Sequence, residues 1–423
     1  VRVWAAEVTD SEKGITYELT QQTDGSYSVT VTVNQDQTEL VIPSSLDGGD
    51  GTVYSIQRVE EISWELEEMN IQKLTFADGI KTIARGAMSK FISTQNLTVD
   101  FPDTLEEVED GFVIVYYNFS DKKVPQWLQD MIPEDGVVYA GKVAIYIPGS
   151  GHIVLKEGCT KVAHYAALNN TGITGIYIPA SVGQIGGGAF GGCSSLASVE
   201  FAENAQITDL DWRAFWDCTA LTEISIPDSL TRIGTETFSG CTALGKIAIS
   251  ENSRLSQLEY AAFGYYPYPY GYIDLSDMVL RNPPVLYSST RREDAGVPVT
   301  EIYLPASAIK RYNSTDSAAG IFAGSQTLTK VTIGAAGMEK MQLPYEAFTN
   351  CVNLETVDLG GNVSKIGMAA FFGCTSLKQI DLSGIDSIEC CAFAKSGLTE
   401  VTIPETTTEI GSFAFLGCTG LET

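Results

Sequence analysis

The sequence predicts an α/β repeat, a leucine-rich-repeat solenoid, and two patterns carry this prediction. One spacing of apolar and aromatic residues recurs along the chain at intervals of mostly 22 to 26 residues, which is the period of leucine-rich repeats. Each copy ends in a short alternating run typical of a half-buried strand. We expect a right-handed β-α superhelix with a parallel sheet, short helical turns and a β-rich N-terminal cap.

Four segments show the repeat most clearly, because they align without gaps: IGGGAFGGCSSLASVEF from Ile185, LDWRAFWDCTALTEISI from Leu210, IGTETFSGCTALGKIAI from Ile233 and IGMAAFFGCTSLKQIDL from Ile366. An aliphatic residue is followed five positions later by an aromatic anchor. Cysteine follows the anchor by three positions, and aliphatic residues follow it by six, nine and eleven. The predicted anchors are Trp64, Met88, Val113, Ala167 (in a degenerate copy), Phe190, Phe215, Phe238, Phe263, Phe322, Phe348, Phe371, Phe393 and Phe415.

The chemistry of one turn accounts for this spacing. The run from Ile224 to Ile226 alternates like a strand, and Pro227 ends it because proline cannot donate to a ladder. The stretch at 235–241 has room for one or two helical turns, which would place Phe238 and Cys241 on one face. No single turn could bury this face alone, so neighbouring turns must stack.

The domain organisation follows from where the repeat holds and where it fails. We expect a β-rich cap over residues 1–55, with Asp24-Gly25 as a hairpin turn, and repeats over 56–263 with a hairpin insert at 135–146. Residues 264–312 form a Tyr/Pro-rich insertion with degenerate turns, and repeats resume over 313–423. The array stops in mid-repeat at Thr423, so we expect either further chain or a frayed last turn.

The net charge of −27 restricts the partners. Such a field repels polyanions, which argues against nucleic acid and anionic membranes as partners. The apolar runs are too short for a transmembrane helix. We expect no membrane insertion in this segment and a monomer.

Nine cysteines invite a disulfide interpretation, but most of them occupy one repeat position. Stacked side chains with parallel Cα–Cβ directions are poorly placed to bridge. Ser325 and Ser396 replace Cys there in two turns, so the position requires a small buried side chain. We predict free, buried thiols at Cys193, Cys218, Cys241, Cys351, Cys374 and Cys418, and no bond between the adjacent Cys390 and Cys391.

Catalytic and metal-binding patterns are weak. His152 and His164 belong to no nucleophile–base arrangement, and the glycines at 186–188 belong to a repeat turn. The acidic loop at 47–51 could suggest calcium, but it lacks the later ligands of an EF-hand, and a plain surface turn is favoured. We expect no enzyme activity, no metal and no cofactor.

Two features could bind a partner. Five tyrosines crowd residues 265–272 beside prolines; tyrosine is enriched in binding surfaces, although these rings could instead cover an exposed edge of the array. The outward positions of the strands are mostly small or acidic, with few anchors for a hot spot. The candidate binding residues are Tyr265, Tyr266, Tyr268, Tyr270 and Tyr272, and the outward strand positions are Tyr177, Glu200, Ser225, Ala248, Thr332, Asp358, Asp381 and Thr402.

The frame IGxxAFxGCxxLxxVxIP resembles the BspA-like leucine-rich-repeat family of bacterial surface proteins, also called the Treponema pallidum type. The resemblance is clearest over residues 160–263 and 338–423. It implies a secreted or cell-surface location and adhesion to host proteins or other cells. The motif residues are structural, so the resemblance assigns no functional residue.

Three functions remain open at this stage. The first is a non-catalytic surface or secreted protein that binds a protein or an extracellular-matrix component. The second is a carbohydrate-binding module that uses the tyrosine-rich insert as a stacking platform. The third is a structural spacer.

Overall fold

The computed structural model describes residues 3–66, 69–109, 115–116, 122–259, 261–263, 297–305, 307, 320–334 and 340–422. The chain divides into two compact units. Unit 1 comprises 1–149 with 153–167, and unit 2 comprises 150–152 with 168–423. The described residues are rich in strands and contain little helix.

Unit 1 opens with three antiparallel strands, β1 (Val3–Asp10), β2 (Ile15–Gln21) and β3 (Tyr27–Val33). The alternating apolar residues predicted this arrangement, and those on one face are fully buried, including Leu19 and Val29. The predicted hairpin turn lies at Asp24 and Gly25, where Gly25 has a φ of 85° and the Asp24 carboxylate accepts a hydrogen bond from the Ser26 backbone N–H at 3.0 Å.

The rest of unit 1 consists of short, mostly parallel strands, only some of which extend the opening sheet. Strand β3 pairs in parallel with β6 (Val53–Trp64), and the hairpin predicted at 135–146 is present as β13 (Val138–Ala140) and β14 (Val143–Tyr146). Strand β14 also pairs in parallel with β16 (Lys161–Val162), so the hairpin is part of a sheet. The further elements are β4 (Glu39–Ile42), β5 (Ser45–Asp47), β6 (Val53–Trp64), β7 (Lys73–Phe76), β8 (Thr82–Ile83), a 3-10 helix (Ser89–Phe91), β9 (Thr98–Asp100), β10 (Glu107–Val108), β11 (Val115–Tyr116), β12 (Lys122–Lys123), α1 (Gln126–Asp130), β13 (Val138–Ala140), β14 (Val143–Tyr146), β15 (Gly151–Val154), which begins in unit 2, and β16 (Lys161–Val162).

Unit 2 is a stack of similar turns, most of which contribute to two rows of parallel strands. The first row comprises β17 (Ile173–Ile178), β19 (Ser198–Phe201), β21 (Glu223–Ile226), β23 (Lys246–Ile249), β25 (Glu301–Leu304), β26 (Lys330–Ile333) and β28 (Thr356–Asp358).

The second row of unit 2 has shorter strands, because each turn gives it only two to four residues. It comprises β18 (Gln184–Ile185), β20 (Asp209–Leu210), β22 (Arg232–Ile233), β24 (Gln257–Leu258), β27 (Met341–Leu343), β29 (Val363–Ile366), β30 (Ser387–Ile388) and β31 (Glu409–Ile410).

The core of unit 2 is a ladder of phenylalanine anchors. Neighbouring rings from Phe190 to Phe415 stack nearly parallel with centroids 5.3 to 6.1 Å apart. Phe263 and Phe322 are 5.3 Å apart like the other neighbours. The long sequence interval between these two anchors therefore interrupts the repeat without interrupting the ladder.

The expected short helical turns are wrong for the described repeats of unit 2. Residues 235–240 form successive hydrogen-bonded turns, with φ of 54° at Glu236 and 80° at Gly240. Residues in this left-handed region break the repeating pattern of an α-helix. The Phe238 backbone N–H instead donates to the Ala262 carbonyl of the next turn at 2.9 Å. The anchors are thus tied from turn to turn by backbone hydrogen bonds.

The prediction of free thiols is confirmed for the repeated cysteine position, and the structure shows what these thiols contact. The Cys241 thiol donates to the Phe215 carbonyl of the preceding turn at 3.1 Å, and Cys374 donates likewise to Phe348 at 3.1 Å. Each of these carbonyls also accepts a backbone N–H of its own turn, so the thiol adds a second hydrogen bond that links two turns inside the core. All nine cysteines are free.

Candidate binding surface

The outward face of the first strand row carries the positions that the sequence predicted to face solvent. None of Tyr177, Glu200, Ser225, Ala248, Thr332, Asp358, Asp381 and Thr402 is buried, which confirms the orientation of these strands. Asp381 and Thr402 lie in turns that form no strand there. Most of these side chains are small or acidic, so this face offers few large contacts to a partner.

The charges along the first strand row largely pair with each other. Glu223 lies 3.1 Å from Lys246, and Glu301 lies 3.5 Å from Lys330, oxygen to nitrogen. All four side chains are about half exposed or more, and such ion pairs contribute little to stability. Their effect is to neutralise part of the face, although the whole chain is strongly acidic.

His152 lies across a glycine of the first strand row. A Cβ at Gly175 would come within 2.5 Å of the imidazole Cδ2. The imidazole Nε2 is 3.7 Å from a carboxylate oxygen of Glu200, and both side chains are exposed. The ring therefore covers bare backbone and faces a carboxylate.

The turn that carries the Phe215 anchor presents a second and larger surface feature, which we call the tryptophan cluster: Trp212, Arg213 and Trp216. The Arg213 guanidinium lies 5.6 Å from the centre of the Trp216 ring and pairs with Glu236 at 2.5 Å. A cation over an indole face is a favourable arrangement. All three side chains are half-buried, so each keeps part of its surface open.

The preceding turn makes room for the tryptophan cluster. A Cβ at Gly187 would meet Trp212 Nε1 at 2.4 Å, so the indole lies directly on glycine backbone. The equivalent positions in neighbouring turns hold Gly187 and Gly191 on one side and Thr235 and Ser239 on the other. Sequence reasoning missed this cluster. The departure of LDWRAFWDC from the small residues of its neighbours was the signal that could have found it.

The comparisons with known proteins agree with this repeat structure. The BspA-type leucine-rich-repeat region matches in six copies, over residues 160–273 and 308–422, which is more than half of the chain. The chain belongs to the BspA-type leucine-rich-repeat family.

Solved structures similar to this BspA-type chain include three bacterial leucine-rich-repeat proteins. A Bacteroides ovatus protein has 20% identity and a TM-score of 0.44, with 97% of this chain and 92% of that one covered. A leucine-rich cell-surface protein of Faecalibacterium prausnitzii has 16% identity, a TM-score of 0.31 and coverages of 99% and 94%. The T. pallidum leucine-rich-repeat protein has 21% identity, a TM-score of 0.35 and coverages of 58% and 90%. No curated protein matches the chain.

The second strand row of this BspA-type chain holds an ion network around Arg232. The guanidinium contacts Asp209 at 2.7 Å, Asp211 at 3.1 Å and Glu259 at 2.8 Å. Burial raises the pKa of Asp209, against the opposing effect of Arg232. Burial also tends to raise the pKa of Glu259, but the hydrogen bond and the charge of Arg232 outweigh it, so the pKa of Glu259 is lowered. The network joins three successive turns and is structural.

The five predicted binding tyrosines of the BspA-type chain, Tyr265, Tyr266, Tyr268, Tyr270 and Tyr272, lie outside the described residues. The described residues on either side of the insert are close together. The Val297 backbone N–H donates to the Phe263 carbonyl at 3.4 Å. The segment 264–296 therefore begins and ends at one place on the stack, two anchors away from Phe215.

The acidic loop at 47–51 forms a surface turn, as favoured from the sequence. The carboxylate of Asp47 accepts from the Gly49 backbone N–H at 2.8 Å, and that of Asp50 accepts from Thr52 at 2.9 Å. Across the described ranges, no group of three or more His, Cys, Asp or Glu side chains is arranged to hold a metal ion. None of the helices in the described part of the chain is long and apolar enough to cross a membrane.

Proposed function

We propose that this protein is a non-catalytic, bacterial cell-surface or secreted leucine-rich-repeat protein that adheres to a host or neighbouring-cell protein. Its turns wind as a right-handed solenoid that displays side chains at fixed intervals. Membership of the BspA-type family supports a protein-interaction role. The name of the similar F. prausnitzii structure, a cell-surface protein, supports the location.

The tryptophan cluster is the observation that carries the proposal. Tryptophan and arginine are the residues most enriched at binding hot spots, because they combine large apolar area with directed polar contacts. Trp212 and Trp216 stand in a repeat whose neighbours have small residues at the same positions. The fold does not require indoles there, since the Phe190 and Phe238 turns stack without them.

We propose the tyrosine-rich insert as a second contact set. The described residues that flank it lie two anchors away from Phe215. Tyrosines at 265–272 would add contact area at low cost in side-chain entropy. The outward residues of the first strand row, which are small or form ion pairs with each other, would lie at the rim of the contact surface.

The test is a binding screen against purified extracellular-matrix proteins and intact host cells. The double variant Trp212→Ala/Trp216→Ala should weaken the strongest interaction at least tenfold in Kd, which is about 1.4 kcal/mol. The matched control is Ser225→Ala, an exposed change on the strand row. Equal binding by the double variant and the wild-type protein would refute the role of the tryptophan cluster.

Carbohydrate binding through the insert is the alternative function, and the concentration of five tyrosines in eight residues favours it. A glycan array would separate the two proposals. Replacing the five tyrosines with serine should abolish glycan signals under this alternative, while the double tryptophan variant keeps them. Loss of protein binding alone would support the adhesion proposal instead.

A further inference from the structure

Two adjacent cysteines stand apart from the repeated cysteine position. Cys390 and Cys391 precede the Phe393 anchor by three and two residues, and their sulfur atoms are 3.4 Å apart without a bond. The prediction that they do not pair is thus confirmed in this structure. Their thiols point to one place, although adjacent side chains commonly diverge.

The fold, and not the pair itself, holds the two thiols in this arrangement. Cys391 has a φ of 57°, and the equivalent residues of the neighbouring turns, Ala369 and Phe413, have φ of 54° and 60°. The Cys391 backbone N–H donates to Ser412, and the Cys390 carbonyl accepts from Ala369, both at 3.1 Å. Hydrogen bonds to the turn on each side therefore fix the cysteine backbone.

A third sulfur lies on the neighbouring turn. Met368 is the counterpart of Cys390 one repeat earlier, and both pack against an apolar cluster that includes Cys391 and Phe372. Cys391 is 1% exposed, whereas Cys390 and Met368 are half-buried. The group is thus closed on one side and reachable from solvent on the other.

The nearby carboxylate is already engaged. Glu389 accepts a hydrogen bond from the Met368 backbone N–H at 2.9 Å, and its other oxygen pairs with Lys365 at 2.5 Å. The potential ligands gathered around this apolar cluster are therefore two thiols and a thioether. Sulfur atoms are soft ligands, and these three are fewer than the four nitrogen, oxygen or sulfur donors that a structural zinc ion takes.

We propose that Met368, Cys390 and Cys391 form a binding site for one Cu(I) ion. Thiolate and thioether ligands select Cu(I) among biological metals. Two thiolates on one ion, with metal–sulfur bonds of about 2.3 Å, stand about 3.8 Å apart at a tetrahedral angle, so the two thiols would need to separate by about 0.4 Å from the observed 3.4 Å. Binding forms two copper–thiolate bonds, releases two protons to solvent and leaves the oxidation state of copper and sulfur unchanged.

The experiment is an anaerobic titration of the whole chain with Cu(I), held by a chromophoric chelator that competes for the ion. The wild-type protein should take one equivalent from the chelator and gain ultraviolet copper–thiolate absorption. Cys390→Ser and Cys391→Ser should each weaken binding at least tenfold, and Met368→Leu should weaken it less. The control is Cys374→Ser, since serine occupies that repeat position naturally at Ser325 and Ser396.

Far-ultraviolet circular dichroism during the titration distinguishes a built site from thiols released by unfolding. Unchanged dichroism with loss of binding only in the Met368, Cys390 and Cys391 variants supports the site. No uptake of Cu(I), equal uptake by the two cysteine variants and the control, or uptake accompanied by unfolding would each overturn it. This inference does not depend on the proposed adhesion function.

Discussion

At the scale of single residues, the stack depends on small polar groups as much as on its phenylalanine anchors. The repeated thiols of Cys218, Cys241, Cys351, Cys374 and Cys418 each donate a hydrogen bond to the carbonyl of an anchor in the preceding turn, as Cys218 does to Phe190 at 3.2 Å. Burial raises the pKa of Cys351 to about 12, so this thiol stays protonated and can donate. In the turns of Phe322 and Phe393 the same position holds serine, another small side chain that can donate.

Replacing Cys241 tests the need for a donor. Cys241→Ser keeps a donor toward the Phe215 carbonyl, whereas Cys241→Ala leaves that carbonyl with the Cys218 backbone N–H as its donor, at 3.3 Å. We expect the alanine variant to be less stable than the serine variant by about 0.5–1.5 kcal/mol, the net contribution of one hydrogen bond. Urea unfolding at neutral pH measures the difference, and equal midpoints would show that only the size of the side chain matters.

A substitution at Gly373 tests how closely neighbouring turns pack. It has a φ of 71°, and a Cβ there would lie 2.3 Å from the Asn350 side-chain oxygen. Gly361 has a similar φ of 73° with no atom near its absent Cβ, so it is the matched control. Gly361→Ala should cost about 1–2 kcal/mol from backbone strain alone.

Gly373→Ala should lower the free energy of unfolding by about 1–3 kcal/mol more than Gly361→Ala does, because the overlap with Asn350 adds to the backbone strain. The two free energies of unfolding, from denaturant titration, give the contribution of packing by difference. A difference near zero would mean that Asn350 moves aside without cost.

At the scale of secondary-structure elements, two-residue strands are held in register by charged side chains that cross several turns. In unit 1, Arg58 on β6 contacts Glu109 beyond β10 at 2.6 Å and Glu60 at 3.0 Å. In unit 2, Arg232 has the same role for β20, β22 and β24. Backbone ladders of two residues supply few hydrogen bonds, so these ion pairs specify which turns are neighbours.

The Arg58–Glu109 ion pair should make the stability of the fold depend on pH. The hydrogen bond from Arg58 lowers the pKa of Glu109, although burial opposes it. A lowered folded-state pKa gives stability that is present above the unfolded value of about 4.3 and is lost as the pH falls through the folded-state value. Glu109→Gln should therefore cost up to about 1 kcal/mol at pH 7, since the side chain is partly exposed.

The cost of Glu109→Gln should shrink toward zero as the pH falls well below 4.3. Urea unfolding of both proteins between pH 7 and pH 3 measures it. Glu106→Gln, an exposed change on the same segment, is the control. A cost that stays constant over this range would show that the carboxylate charge is not responsible.

At the scale of the whole molecule, the array tolerates a long interruption. Phe263 and Phe322 remain ladder neighbours at 5.3 Å, and the backbone at Val297 returns to Phe263. The cost of a long surface loop rises only slowly with its length. The stack can therefore carry variable segments between turns that are otherwise alike.

Deleting the insert tests this tolerance. Replacing residues 264–296 with two glycines should leave the melting temperature within about 5 °C of the wild type. Phe322→Ala, which removes a ring from the ladder, should instead cost about 3–5 kcal/mol. Thermal unfolding followed by circular dichroism compares the two, and a collapse of the deletion variant would mean that the insert supports the stack.

The sequence predicted the anchors, the buried cysteines and the outward strand positions because each depends on spacing alone. It did not predict the form of the turns. The left-handed positions hold Arg213, Asp217 and Glu236, whose identities give little indication of a positive φ. The tryptophan cluster was missed because its packing depends on Gly187 in another turn. The tyrosine insert stays a prediction.

The uniform phenylalanine ladder also has a consequence for how such a protein can evolve. Every rung presents almost the same ring spacing and the same backbone hydrogen bonds to the next. Gain or loss of one whole repeat by unequal recombination would therefore join compatible surfaces. Lineages could lengthen or shorten the display by single turns, while selection acts separately on the few side chains that face a partner.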